Sequence, residues 1–171
     1  MAGASGHRQP PDGRTGDRMS GFLRDMLLGT LGLIVAIQFV RPARTNPPFD
    51  ETRTLEAAIT VPPAFAAIVA RSCADCHSDD TRWPWYSQVA PVSWVLINHV
   101  DEGRRHMNFS EWLKPGVNDP VQYTRQKLHS ACERMQTHNM PLWSYLLLHP
   151  AARLSPEDIK LVCDAANTVA R

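Results

Sequence analysis

Residues 62–77 read Pro-Pro-Ala-Phe-Ala-Ala-Ile-Val-Ala-Arg-Ser-Cys-Ala-Asp-Cys-His. The paired prolines suit the first turn of a helix, because a proline there loses no hydrogen bond that the helix would have made. Phe65, Ile68 and Val69 then recur at helical spacing up to Cys73. Three further stretches follow the same rule. Val92–Met107 places Val92, Val95, Leu96, Ile97 and Val100 against Asp101, Glu102, Arg104 and Arg105, one apolar and one wet face. Pro120–Met135 is a weaker helix of the same kind. The last helix is the best marked: Ser155 as cap, Pro156 in the first turn, and Glu157 and Asp158 at the positive end of the dipole. Its stripe of Ile159, Val162, Cys163, Ala166 and Val169 runs through Ala170. No stretch alternates as a half-buried strand does, so the expected fold class is all-α.

The end of the quoted stretch, Cys73-Ala74-Asp75-Cys76-His77, is a C-x-x-C-H. That is the attachment sequence of c-type haem. Cysteines three apart on a helical turn face the same way, where two thiols can add to the two vinyl groups of one porphyrin. His77 then offers an imidazole nitrogen to the iron as proximal ligand. Three other chemistries use the same residues. A thioredoxin-like pair wants a strand before it, and a helix stands there instead. A structural zinc site wants two more ligands, and no second C-x-x-C or H-x3-H is present. A plain disulfide leaves the histidine unexplained.

A distal ligand is expected at Met140, 63 residues after His77 in a loop between two helices. Pro141 keeps that backbone extended. His138 is the rival, Met135, His106 and Met107 are further candidates, and Met140 as gap-filling core is the bland reading. Trp83 and Trp85 are expected either to wall a haem from water or to serve as ordinary core. Arg82 is expected to pair with a propionate or to lie free on the surface. Cys132 and Cys163 read as a disulfide between the third and fourth helices, or as buried thiols. His129 and His149 read as surface or hydrogen-bonded histidines.

Before the quoted stretch the composition changes twice. Residues 1–21 offer almost nothing to bury and are expected to form a disordered cytoplasmic tail. Met26–Val40 holds fifteen residues without a charge, and counting from Phe22, with Arg24 and Asp25 reaching back to the headgroups, gives nineteen (22–40). That segment reads as a transmembrane anchor or a signal segment. Either reading exports residues 41–171 to the periplasmic side of the inner membrane. Residues 41–61 are rich in proline and charge and read as a spacer, with the folded domain spanning 62–171. The 171-residue chain carries 18 basic and 17 acidic side chains. So even a balance argues against a nucleic-acid binder, and four cysteines are too few for a disulfide-dense scaffold.

In order along the chain stand Arg41-Pro42 with Asn46-Pro47-Pro48, then Cys73–Ser78, then Thr81-Arg82-Trp83-Pro84-Trp85-Tyr86-Ser87. Ala90-Pro91-Val92-Ser93-Trp94, Glu102-Gly103-Arg104 and Asn108-Phe109-Ser110-Glu111-Trp112 follow. Met140-Pro141-Leu142 and Ser144-Tyr145-Leu146-Leu147-Leu148-His149-Pro150 complete the series. This pattern resembles the small membrane-anchored haem-binding domain family, similar to class I cytochromes c. The chain departs from it at Asn139, where the family pattern carries a glutamate, and at Trp143, Cys132 and Cys163. The resemblance implies one covalent haem c, an exported domain and a cytochrome c-like helical shell. The expected function is single-electron transfer between redox partner proteins whose identity the sequence does not carry. The alternative is a gas sensor or peroxidase-type enzyme with an open distal site, using His138 or His106.

Overall fold

The computed structural model describes residues 14–169. The chain divides into two compact units, with the boundary between Arg41 and Pro42.

The first unit is built on α1, Arg14–Ile37. Its Met19–Ile37 stretch is 19 residues long and no part of it is buried. At ~1.5 Å per residue it extends about 28 Å, against a hydrocarbon core of about 30 Å. It is therefore long and apolar enough to cross a membrane. Residues 14–21, expected in a disordered tail, are helical instead. Once the apolar run has nucleated a helix, each added residue contributes one hydrogen bond, so the helix extends past the apolar boundary. Residues 1–13 of that expected tail lie outside the described residues.

The second unit is all helical among the described residues. After α2 (Leu55–Ala58) come α3 (Pro63–Ser72), α4 (Ala74–His77), α5 (Val92–His106) and α6 (Pro120–Gln136), then α7 (Trp143–Leu146) and α8 (Pro156–Thr168). The four long helices start where the sequence places them. Asp119 caps α6 by accepting from the Val121 and Gln122 amides, with Pro120 in the first turn. Ser155 and Asp158 form a reciprocal capping box on α8. The core gathers Phe65 and Ile68 of α3, Leu128 and Met135 of α6, and Val162 and Ala166 of α8 around Phe109 and Trp112. The Trp112 indole stacks on Phe109 and donates to the buried Thr124 hydroxyl at 2.8 Å. Its one polar atom is thus satisfied inside the core.

Cys132 of α6 and Cys163 of α8 form a disulfide, 31 residues apart in sequence. Closing a loop of that length removes entropy from the unfolded chain worth about 3–4 kcal/mol. Replacing both cysteines by alanine is expected to lower unfolding stability by about 2–4 kcal/mol. Denaturant titration with and without reductant checks this: the reductant should shift the wild type and leave the double variant unmoved.

Residues 41–61 do not form a spacer. From Pro42 they belong to the folded unit. Leu55 is fully buried at the centre of the core, and Thr54 caps α2 above it. The Arg53 carbonyl accepts from the Leu113 amide and its Nε donates to the Leu113 carbonyl. Arg44 donates to Ser87, and Asn46 to the Thr81 carbonyl. Prolines remove amide donors, and side chains here take over the hydrogen bonding that a regular element would supply.

Candidate cofactor site

Cys73 closes α3 and opens α4, a single turn in which the Cys76 and His77 amides both donate to the Cys73 carbonyl. The turn brings Cys73, Cys76 and His77 to the wall of one cavity of about 580 Å³. That volume falls in the range of about 300–1,000 Å³ usual for cofactor and ligand sites.

His77 has a fixed orientation. Its Nδ1 lies 3.0 Å from the Gly103 carbonyl and 3.0 Å from the Met107 carbonyl, at the end of α5. Carbonyls only accept, so Nδ1 carries the proton and Nε2 keeps its lone pair. This is the arrangement by which proteins aim a ligating imidazole. Burial, the largest influence, lowers the His77 pKa below its ordinary value, against the raising effect of the two carbonyls. The ring is accordingly neutral. Phe109 packs edge-on against it at 6.4 Å.

Gly103 lets α5 come that close. A Cβ built at this position would stand 2.3 Å from the Cys76 carbonyl oxygen and 3.0 Å from its carbon. The next residue, Arg104, secures the other side of the turn. Its guanidinium donates to the Ser78 and Thr45 carbonyls and to the Thr81 hydroxyl, and pairs with the Asp79 carboxylate at 3.4 Å. Asp79 in turn accepts from Asn108 through Oδ2, and its amide donates to Ser110 Oγ. Asp75, between the two cysteines, accepts from the Tyr145 hydroxyl at 2.7 Å.

The chemistry of the donor set separates the readings of C-x-x-C-H. Burial pushes the Cys73 thiol up to about 12 and the Cys76 thiol up to about 11. A thioredoxin-like pair needs the opposite, a thiol acidic enough to attack as thiolate. Among the described residues no group of three His, Cys, Asp or Glu is placed to hold a metal ion, as structural zinc would require. The site fits a haem: two thiols and an aimed imidazole open on one roomy cavity. Ser72, on the same wall, is the one buried side chain among the described residues whose hydroxyl has no hydrogen-bond partner.

Of the expected distal ligands, Met140 lines the cavity, half-exposed at 37%. Met107, Met135 and His106 line it too. His138 does not. It has φ of +56° and ends α6: its amide donates to the Met135 carbonyl while the Asn139 amide donates to the Arg134 carbonyl. That is a Schellman stop, with histidine in the place glycine usually takes, and its side chain is exposed.

Trp83, Trp85 and Arg82 also lie away from the cavity wall. The Trp83 indole donates to Asn46 in the ribbon of residues 42–61, and Trp85 is 74% exposed. The Arg82 backbone amide, not its guanidinium, takes part in the site by donating to Asp75. Sequence reading missed His99, which lines the cavity from α5. Its position four residues before Gly103 and seven before His106 was the available sign, because those spacings share a helix face.

Residues 32–168 match the family described as haem-binding domain. The chain belongs to that family. The match takes in the whole C-x-x-C-H turn, α5 with its Gly103–Arg104 pair, and Met140, so the geometry above is that of a haem-binding domain. Neither the curated proteins nor the solved structures gave a match.

Proposed function

We propose that this haem-binding domain is a monohaem c-type cytochrome, held to the inner membrane by α1, that passes single electrons on the periplasmic side. The observation that carries the reading is the His77 ring, its Nδ1 committed to two carbonyls, on the wall of a cavity that both cysteines also line. When bound, haem supplies an iron that alternates between the ferric and ferrous states.

The chain's own residues do the rest. Cys73 and Cys76 would hold the group by thioether bonds, each thiol adding its sulfur and hydrogen across one vinyl group. His77 would ligate the iron, with Met140 as the second protein ligand. A thioether ligand favours the ferrous state relative to a second histidine. The Cys132–Cys163 disulfide supports export, since such bonds persist in oxidising compartments. Residues 42–169 carry no large excess of charge, which leaves recognition of redox partners to local surface rather than long-range steering.

A second reading is supported by His99 and His106 on the cavity wall: an open distal site for a gas or peroxide.

The covalent bond is tested first. Membrane protein co-expressed with a haem-attachment pathway should keep its haem after acid–acetone extraction, at one per chain by pyridine haemochrome. Cys73→Ser with Cys76→Ser should release it. Haem extracted freely from the wild type would overturn the proposal, as would colourless protein containing zinc.

A further inference from the structure

The segment after α6 is held in place by surprisingly little packing. None of the four residues of α7 is buried. Trp143, Leu147 and Leu148 are all exposed. Yet Met140, Pro141 and Leu142, just before α7, line the cavity, and so does Tyr145 within it. A segment with so few buried contacts opens readily unless specific bonds hold it.

Two specific side-chain contacts meet at Tyr145. Its hydroxyl donates to Asp75 Oδ2 at 2.7 Å, and Asp75 is the residue between the two cysteines. Its ring stacks on His149 at 4.0 Å between centroids and 11° between planes. His149 in turn meets Tyr86 edge-on at 6.0 Å, with the Tyr86 hydroxyl 3.4 Å from its Nδ1. Asp75 is itself braced, its carboxylate by the Arg82 amide and its carbonyl by the Thr81 hydroxyl. The bond therefore runs from a rigid turn to a weakly packed one.

We infer that the Tyr145–Asp75 hydrogen bond is a latch that holds the Met140 segment over the haem cavity, making Tyr145 a positioning residue for the distal ligand. This rests on the reading of Met140 as that ligand. The residue between the two cysteines thus links the segments that carry His77 and Met140. Opening the latch releases Met140 without touching the thioether bonds or His77.

The test uses the full membrane-anchored holoprotein. Its readouts are the red absorption band of sulfur-ligated ferric haem and carbon monoxide binding to the ferrous form. Met140→Ala should abolish the band and admit carbon monoxide. Tyr145→Phe keeps the ring and its stacking on His149 but loses the hydroxyl. It should weaken the band and raise carbon monoxide affinity by about tenfold, the size expected for a bond to a charged acceptor. Haem content should stay at one per chain. Asp75→Ala should do the same, and the double variant should do no more than either single one. If Met140→Ala changes both readouts while Tyr145→Phe changes neither, the latch is wrong and the ligand assignment stands. If the two latch variants add, the residues act separately and the latch is wrong. If Met140→Ala leaves the band unchanged, the ligand assignment fails and takes the latch with it.

Discussion

Replacing Gly103 with alanine is expected to lower both the thermal stability of the domain and the yield of haem-loaded protein, the reverse of what this change does in most helices. Alanine is ordinarily about 1 kcal/mol better than glycine in a helix interior. Here the added methyl would sit 2.3 Å from the Cys76 carbonyl oxygen. That atom belongs to backbone, so no side-chain rotation relieves the clash and α5 must retreat from the cysteine turn. Overpacking of this kind costs about 1–3 kcal/mol and outweighs the helical gain. The retreat also lengthens both 3.0 Å contacts to His77, because Gly103 and Met107 supply the acceptors. Thermal melts and haem-stained gels would show it, with Asn98→Ala on the exposed face of α5 as the control. A Gly103→Ala protein as stable and as fully loaded as the wild type would mean that α5 does not pack this closely.

The second large effect is expected at Asp79 and Arg104. Their side chains are only 5% and 11% exposed, so either one left alone is a charge without water around it. Removing one member of such a pair costs about 3–5 kcal/mol, whereas an exposed pair is worth about 0–1 kcal/mol. Arg104→Met and Asp79→Ala should each fall in the first range by urea denaturation. The double variant should lose less than the sum, because no unpaired charge remains. Arg104 is also the point at which residues 45, 78 and 81 converge on α5, so its loss should loosen the loop that follows His77. Single variants within about 1 kcal/mol of wild type would show that the pair behaves as a solvated one.

Much of this architecture was legible from local rules. Pro63, Pro120 and Pro156 mark helix starts that need no tertiary knowledge, and Ser155 with Asp158 fixes the last one twice over. The C-x-x-C-H turn identified the cofactor class because its spacing has a mechanical meaning. What escaped depends on distant neighbours. Leu55 is one apolar residue in a proline-rich stretch, with no period to reveal that it fills the centre of the core. Whether His138 or Met140 reaches the cavity turns on where α6 stops, and a left-handed histidine is not a stop that composition announces. Trp83 and Trp85, aromatic and close in sequence to the motif, read equally as haem walls or as ordinary core. Their backbone instead carries them to Asn46 and to the surface. Gly103 was visible as a glycine in a helix, but its closeness to Cys76 exists only in three dimensions.

The placement of residues 42–61 bears on how a water-soluble piece should be trimmed. The proline-rich composition invites a cut at residue 62, where the first long helix of the domain begins. Such a piece would discard Leu55, leaving a hole among Phe65, Ile68 and Trp112. It would also strip Arg104 of the Thr45 carbonyl and of Asn46. A cut after Arg41 keeps this girdle whole, and with it the grip on the turn that bears the cysteines.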